Sequence, residues 1–146
     1  MARKRDQPPP RTGGTETEVL RGFLDYLRAA VIAKVDGAPE PRVREAVVPS
    51  GTNLLGLVRH LTFVERATFL GVKPRSWKAT FQVPDGDSVA DVVAGYREAV
   101  ERSNEVLDGS AAEDVRWRLA HMIEETGRHA GHADIVRELI DGSTGR

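Results

Sequence analysis

Apolar residues recur at spacings of three and four residues along four separate stretches of the chain, with charged residues between them. This period is typical of an α-helix, since a half-buried strand alternates every two residues. The stretches cover about residues 15–35, 52–70, 88–108 and 112–140. No segment with a convincing strand pattern remains between them. The sequence therefore predicts an all-α fold, an antiparallel four-helix bundle with short or moderate links.

Polar residues with capping potential predict where three of these helices begin. Thr15 and Glu18 have the spacing of a capping box at the start of the first helix. Ser50 or Thr52 is the expected N-cap of the second helix, and Ser88 is that of the third. The apolar faces then predict a core that contains Phe23, Leu27, Leu57, Leu61, Val93, Tyr96, Met122 and Val136.

The bundle accounts for most of the chain, and its ends differ in composition. Residues 1–14 contain three prolines, two glycines and scattered basic residues, which predicts a disordered tail. The helical domain is expected over residues 15–141, and residues 142–146 are expected to fray. A chain of 146 residues is long enough for one domain with a substantial core.

Composition excludes several classes of protein. With 21 basic and 22 acidic residues the net charge is −1, so nothing indicates a nucleic acid or an anionic membrane as partner. Cysteine is absent, which excludes disulfides, thiolate metal sites and a cysteine nucleophile. No apolar run has the length of a transmembrane helix and no signal peptide is evident, so we expect a cytoplasmic protein.

The last helix carries a concentration of chemically active side chains between residues 120 and 134. Its apolar stripe contains His129, and Glu125 lies one helical turn earlier on the same flank, followed further round by His132 and His121. An imidazole in an apolar seam is costly unless its nitrogens are satisfied. A divalent metal shared with Glu125 would satisfy it, and so would a simple hydrogen bond to that carboxylate; the spacing leaves both open.

The remaining histidine, His60, stands at the edge of the apolar stripe of the second helix. An antiparallel bundle can bring this edge beside His129. Between the second and third helices, residues 71–87 form the longest segment without a period, and it contains Trp77 and Phe81. These aromatic residues are expected either to anchor the segment to the core or to line the mouth of a pocket.

Two stretches carry a family resemblance: NLLGLVRHLTFVERATF at residues 53–69 and HMIEETGRHAGHADIVRELIDG at residues 121–142. They resemble the DinB-like superfamily of metal-binding four-helix proteins, within an actinobacterial branch similar to mycothiol-dependent maleylpyruvate isomerase. The resemblance covers nearly all of the chain after Gly14. It implies that one metal ligand comes from the second helix and that two come from the last helix, four residues apart. Matched to this sequence, the implied ligands are His60, Glu125 and His129.

The resemblance also implies a chemistry. Two imidazoles and a carboxylate suit Zn²⁺ by default, with Ni²⁺, Fe²⁺ or Mn²⁺ as alternatives, and leave coordination positions open. In the relatives such a position activates a low-molecular-weight thiol such as mycothiol, so the implied partners are this thiol and a small-molecule substrate. His132 and His121 are candidates for an extra ligand, or for residues that hydrogen-bond to a ligand without binding the metal themselves.

Two functions stay open at this point. The first is a metal-dependent thiol transferase or isomerase, in which Trp77 and an arginine bind the substrate. Guanidinium matches carboxylates bidentately, and the candidates on the helix faces are Arg59, Arg66, Arg116 and Arg128. A solvated helix face is the simpler interpretation of each of them. The second function is a non-enzymatic helical module, with a homodimer as one form, whose histidines bind metal structurally or not at all. A fourth protein ligand would favour this second function.

Overall fold

The computed structural model describes residues 6–11 and 13–145 of the chain. Within that range all regular elements are helical, which confirms the predicted all-α antiparallel four-helix bundle. The four long helices are α1 (Glu16–Val35), α2 (Leu54–Leu70), α3 (Val89–Asp108) and α4 (Ala112–Asp141), and two short 3₁₀ turns occupy Arg42–Arg44 and Lys78–Phe81. Residues 1–5 and 12 of the predicted tail, and Arg146 of the predicted frayed end, lie outside the described residues.

The helix starts follow the predicted caps except at α2. Both halves of the capping box between Thr15 and Glu18 are formed, and Ser88 likewise caps α3. The predicted cap of α2 is wrong: Asn53, not Ser50 or Thr52, accepts the hydrogen bond from the helix N-terminus. The reason is that α2 begins only at Leu54, so Asn53 is the residue next to its free N–H groups and accepts from the Gly56 N–H at 2.7 Å.

Helix α2 is the central element of the bundle. It packs against α3 on one side and α4 on the other, while α1 packs chiefly on α4. Eleven of its residues are buried, including the predicted core residues Leu57 and Leu61. None of the described helices combines the length and the apolar content that a membrane span requires.

The predicted core needs one correction. Phe23 is 39% exposed, so placing it in the core was wrong, whereas its neighbour Leu24 is completely buried. Successive helical residues are rotated by about 100°, and the face of α1 that meets the bundle is centred on Leu24, Arg28 and Val31. Leu27 and Val93 are only partly buried, and the other predicted core residues are buried.

A buried ion pair joins the centre of α1 to α2. The guanidinium of Arg28 donates to both carboxylate oxygens of Glu65, at 2.7 and 2.8 Å, and the two side chains are 4% and 0% exposed. Burial alone lowers the pKa of Arg28, but its bonds to Glu65 outweigh burial and raise that pKa above its ordinary value. The sequence pattern missed this pair because charged residues are normally found at the surface.

The segment between α2 and α3 lies directly on the start of α2. A Cβ atom at Gly56 would stand 2.2 Å from the carbonyl oxygen of Phe81, so only glycine permits this close approach. The Arg59 guanidinium holds the same segment from the next turn, since it donates to the carbonyl oxygens of Ala79 and Thr80 at 2.9 and 3.1 Å. Together these contacts fix the segment beside His60.

Candidate metal centre

Three of the predicted ligands meet between α2 and α4. His60, Glu125 and His129 each present a ligand atom, and these atoms all lie within 4.8 Å of one another. The carboxylate oxygen Oε2 of Glu125 is 3.8 Å from Nε2 of His60 and 3.5 Å from Nε2 of His129. Among residues 6–11 and 13–145 this is the only group of three or more side chains that could hold a metal ion in this way.

Local helix geometry explains why the three side chains converge. Glu125 and His129 are four residues apart on α4, which places them one above the other on the same face. His60 projects from α2 across the seam, and its ring centroid lies 4.8 Å from that of His129. Only 7% of His60 is exposed, because the ring of Phe81 stacks on its other face at 3.9 Å.

The hydrogen bonds of Thr80 determine which nitrogen of His60 carries the proton. The Thr80 hydroxyl donates to the carbonyl oxygen of Trp77 at 2.6 Å, so its one hydrogen is already committed. The same oxygen lies 2.7 Å from Nδ1 of His60, and it must therefore accept a hydrogen bond from Nδ1–H. The neutral ring then has its lone pair on Nε2, the nitrogen that faces Glu125.

His129 has a comparable partner on its outer side. Its Nδ1 lies 3.3 Å from Nδ1 of His132, while its Nε2 faces Glu125. When Nδ1 of His129 donates to His132, the lone pair of His129 stays on Nε2, as it does in His60. His132 itself is exposed and its Nδ1 is turned to His129 rather than to the shared centre.

Both central imidazoles are neutral near pH 7. Burial, together with the nearby ring of His129, lowers the pKa of His60 to about 4. Burial also lowers the pKa of His129 to about 4, helped by His132 and by the positive charge of Arg128. A neutral imidazole is the form that binds a metal, because a protonated ring has no lone pair to give.

The residues present fit a divalent ion. Two imidazole nitrogens with free lone pairs and one carboxylate oxygen face a common point, which is the donor set that zinc and its neighbours in the first transition series prefer. Each histidine also has a hydrogen-bonding partner on its other nitrogen, the arrangement that normally orients metal-binding histidines.

The centre opens onto a cavity of about 830 Å³. Its wall includes the three central residues and, around them, Trp77, Phe81, Trp117, His121 and His132. Three cationic residues, Lys73, Arg118 and Arg128, also line it. A small molecule can therefore reach the centre, and a negatively charged group on it would find positive charge near the opening.

The structure separates the other predicted binding residues into two groups. Trp77 and Arg128 lie on the cavity wall, whereas Arg59 is directed to the loop carbonyls and Arg116 pairs with Glu16 at 2.8 Å. His121 lines the cavity but does not belong to the three-residue group, because its ring stacks on Trp117.

Sequence reasoning did not identify Thr80, Lys73 or Arg118. Thr80 and Lys73 lie in the segment without a period, so no face could be assigned to them. Arg118 follows Trp117 on α4, and its guanidinium lies 5.9 Å from the centre of the Phe69 ring near the end of α2, a contact between helices that a periodic pattern does not encode. Only the tertiary fold brings these side chains to the site.

The fold and the site define a DinB-like helical bundle with a candidate His-Glu-His metal centre at the seam between α2 and α4. Residues 19–142 match the family model described as mycothiol-S-transferase. The chain therefore belongs to this family. Because it is a DinB-like family, the match confirms the resemblance found in the sequence. A comparison with curated proteins found no match.

Proposed function

We propose that this chain is a metal-dependent transferase that joins mycothiol to a small electrophilic molecule in the cytoplasm. The observation that carries the proposal is the convergence of His60, Glu125 and His129 within 4.8 Å at the wall of an open cavity. The match to the mycothiol-S-transferase family supports mycothiol as the thiol and transfer as the reaction class.

The reaction has simple requirements. The sulfur of the thiol must lose its proton and form a bond to an electrophilic carbon. The electron pair displaced from that carbon goes to the departing halide of an alkyl halide, to the ring oxygen of an epoxide or to the neighbouring carbon of an activated alkene, and in the last two cases that atom then takes up a proton. A divalent ion held by His60, Glu125 and His129 would lower the pKa of a thiol that reaches its open side. Zinc is the default ion for two imidazoles and a carboxylate, while nickel, iron and manganese share the same donor preferences in part.

The protein's own residues supply orientation and charge. Thr80 and His132 hold the two imidazoles from behind, so that both Nε2 atoms face inward. Phe81 stacks on the His60 ring at 3.9 Å and Trp77 lies edge-on to it at 6.0 Å, so both provide apolar surface beside the centre on the cavity wall. Arg128, which lines the cavity with 67% of its side chain exposed, is placed to meet an anionic group of the substrate.

The position of His132 supports an open centre over a closed structural one. A closed zinc site would need a fourth protein ligand. Nδ1 of His132 faces the rear nitrogen of His129, and His121 stacks on Trp117 instead of approaching the centre. Isomerisation of a substrate would use the same metal-activated thiol and the same cavity. The description of the family as a transferase favours transfer over isomerisation.

The test is a conjugation assay with purified protein. The chain, loaded separately with zinc, nickel, iron or manganese, is mixed with mycothiol and a panel of electrophiles: monochlorobimane, an epoxide, an alkyl halide and an activated alkene. We expect conjugation above the spontaneous rate with at least one metal and one electrophile. Rates equal to the spontaneous rate for every combination would contradict the proposal.

Removing the central ligand gives a sharper result. His129→Ala should abolish zinc binding and conjugation together, because it deletes one of the two imidazoles that converge with Glu125. His132→Ala should weaken zinc binding by about 10–100-fold at most, since it removes only the partner of Nδ1. Competition with a chromogenic chelator measures both affinities, and conjugation that persists in zinc-free His129→Ala would contradict a metal-dependent reaction.

A further inference from the structure

Four side chains form one continuous row along the cavity face of α4. Trp117, His121, Glu125 and His129 are spaced four residues apart, and all of them line the same cavity. Residues at this spacing are neighbours on a helix surface, one turn apart. The two metal-ligand candidates occupy one end of the row, and an aromatic pair occupies the other.

The aromatic end of the row is unusual for an exposed position. Trp117 is 71% exposed, the highest value among the exposed large hydrophobic residues of the described chain. It is nonetheless ordered by stacking: its ring lies on that of His121 with centroids 4.9 Å apart and planes inclined by 18°. The inner faces of the two rings cover each other, so the outer faces of the stacked pair are the ones left for a ligand in the cavity. We call this pair, Trp117 and His121, the aromatic ledge.

The distance between the ends of the row is fixed by the helix. At a rise of about 1.5 Å per residue, His121 lies about 6 Å and Trp117 about 12 Å along the axis from Glu125. Because the whole row belongs to the single helix α4, loop motion does not change these distances.

This distance suits a thiol with rings attached behind its sulfur. Mycothiol consists of N-acetylcysteine joined by an amide to glucosamine, which is joined in turn to inositol. With its sulfur near Glu125 and His129, the first ring lies about 6 Å away, one amide bond beyond the cysteine. The second ring follows after one glycosidic bond, in the direction in which the ledge extends.

The chemistry of the ledge also suits such rings. The C–H bonds on one face of a sugar carry partial positive charge, and the face of an aromatic ring is electron-rich, so the two stack favourably. Arg118 and Lys73 line the same cavity and can donate hydrogen bonds to ring hydroxyls.

We propose that the aromatic ledge of Trp117 and His121 is the subsite for the sugar rings of the thiol, with the sulfur directed to the other end of the row. This inference rests on the proposed function and goes beyond it, because it assigns the residues that distinguish mycothiol from a simple thiol. Trp117 is a specificity-determining residue in this arrangement.

The test compares two thiols that share the sulfur and differ in the rings. Isothermal titration calorimetry of the zinc-loaded full chain measures the Kd of mycothiol and of N-acetylcysteine for the wild type, Trp117→Leu and Trp117→Phe. Arg116→Leu is the matched control, since Arg116 is the adjacent residue, is similarly exposed and does not line the cavity. Circular dichroism verifies that each variant is folded.

Trp117→Leu should weaken mycothiol binding by about two- to tenfold and leave N-acetylcysteine unchanged, because one stacked ring is lost. Trp117→Phe should retain most of the affinity, and Arg116→Leu should alter neither thiol. Mycothiol binding that is unchanged in Trp117→Leu, or an equal loss for both thiols, would overturn the inference while the proposed function stands. A wild-type protein that binds neither thiol would overturn the proposed function and this inference with it.

Discussion

The hydroxyl of Thr80 connects the segment after α2 to a residue of the candidate centre. Thr80 is 2% exposed, and its hydroxyl accepts from Nδ1 of His60 and donates to the carbonyl oxygen of Trp77. The hydroxyl cannot give its proton to both neighbours, so the His60 ring is restricted to the form that presents Nε2 to the seam. At the scale of the residue, a side chain outside the three-residue group thus orients a candidate metal ligand.

Replacing Thr80 tests this role. Thr80→Val preserves the shape of the side chain and removes the hydroxyl, so the affinity for zinc should fall by about 10–100-fold. Thr80→Ser should restore it. Competition with a chelator measures the affinity, and ¹⁵N chemical shifts of the His60 ring report which nitrogen carries the proton in the metal-free protein.

A matched control separates this effect from general destabilisation. Thr62 is also buried and its hydroxyl bonds only to the carbonyl oxygen of Val58 on the same helix. Thr62→Val should therefore leave zinc affinity unchanged. Equal zinc affinities for Thr80→Val and the wild type would show that the hydroxyl does not orient His60.

The buried pair of Arg28 and Glu65 predicts a second result at the residue scale. Glu65→Gln removes the buried counter-charge of Arg28 and leaves only the exposed carboxylate of Asp25 paired with it, so it should lower the free energy of unfolding by about 3–5 kcal/mol. Asp108→Asn, in the exposed pair with Arg21, should change it by less than about 1 kcal/mol. Urea denaturation measures both, and similar small losses in the two variants would contradict the importance of burial.

At the scale of the element, the first turns of α2 pack closely against the segment between α2 and α3. Gly56 allows the carbonyl of Phe81 to approach the helix, and the turn Lys78–Phe81 then supplies Thr80 to His60. The turn Lys78–Phe81 and the candidate ligand His60 on α2 consequently form a single packed unit.

Gly56→Ala should disturb this unit. The added Cβ would be 2.2 Å from the Phe81 oxygen, so the segment must move away, and we expect a loss of about 1–3 kcal/mol in stability together with weaker zinc binding. Gly95→Ala is the control, because a Cβ there meets no atom within 4 Å. That change, inside α3, should stabilise the protein by about 0.5–1 kcal/mol.

Thermal denaturation and chelator competition on the two variants provide the measurement. A Gly56→Ala protein as stable as Gly95→Ala would mean that the segment does not pack on α2 as described. The comparison is informative because both glycines are helical and the substitution is the same.

The elements differed in how far sequence could predict them. Helices with a wide apolar stripe and a capping box, such as α1 and α3, were predicted nearly to the residue because both signals are local. The predicted N-cap of α2, Ser50 or Thr52, was wrong because Asn53 caps the helix, and the buried face of α1 was wrong at Phe23. Both errors arise from contacts that a periodic pattern does not encode.

The candidate centre was predictable for a related reason. Glu125 and His129 are neighbours on one helix, so their spacing alone places them together, and the family resemblance identified His60 as the third member. Thr80 was not predictable, since it is twenty residues from His60 in sequence and belongs to a segment without periodicity. Whether the three residues bind a metal stays a prediction.

At the scale of the whole molecule, metal binding should be coupled to stability. If the ion binds the native state and not the unfolded chain, it stabilises the fold by mass action, by about 2.7 kcal/mol at a hundredfold excess over Kd. A chelator should therefore lower the Tm, and added zinc should restore it. Differential scanning calorimetry, with metal content verified by elemental analysis of protein purified without a His tag, measures the effect.

The control for this experiment is His129→Ala, whose Tm should not respond to zinc or to the chelator. An identical melting curve for the wild type before and after verified metal removal would favour the hydrogen-bonded interpretation of the three residues. In that case His60, Glu125 and His129 would form a polar cluster with no bound ion.

The division of the candidate ligands between α2 and α4 has a further consequence for the order in which the bundle opens. The chain passes through the whole of α3 between His60 and Glu125, so an ion bound to both closes a long loop, as a covalent crosslink would. Opening that separates α2 from α4 would then have to release the ion first. Hydrogen exchange should slow together in these two helices when zinc is bound, while the ends of α1 and α3 exchange as before.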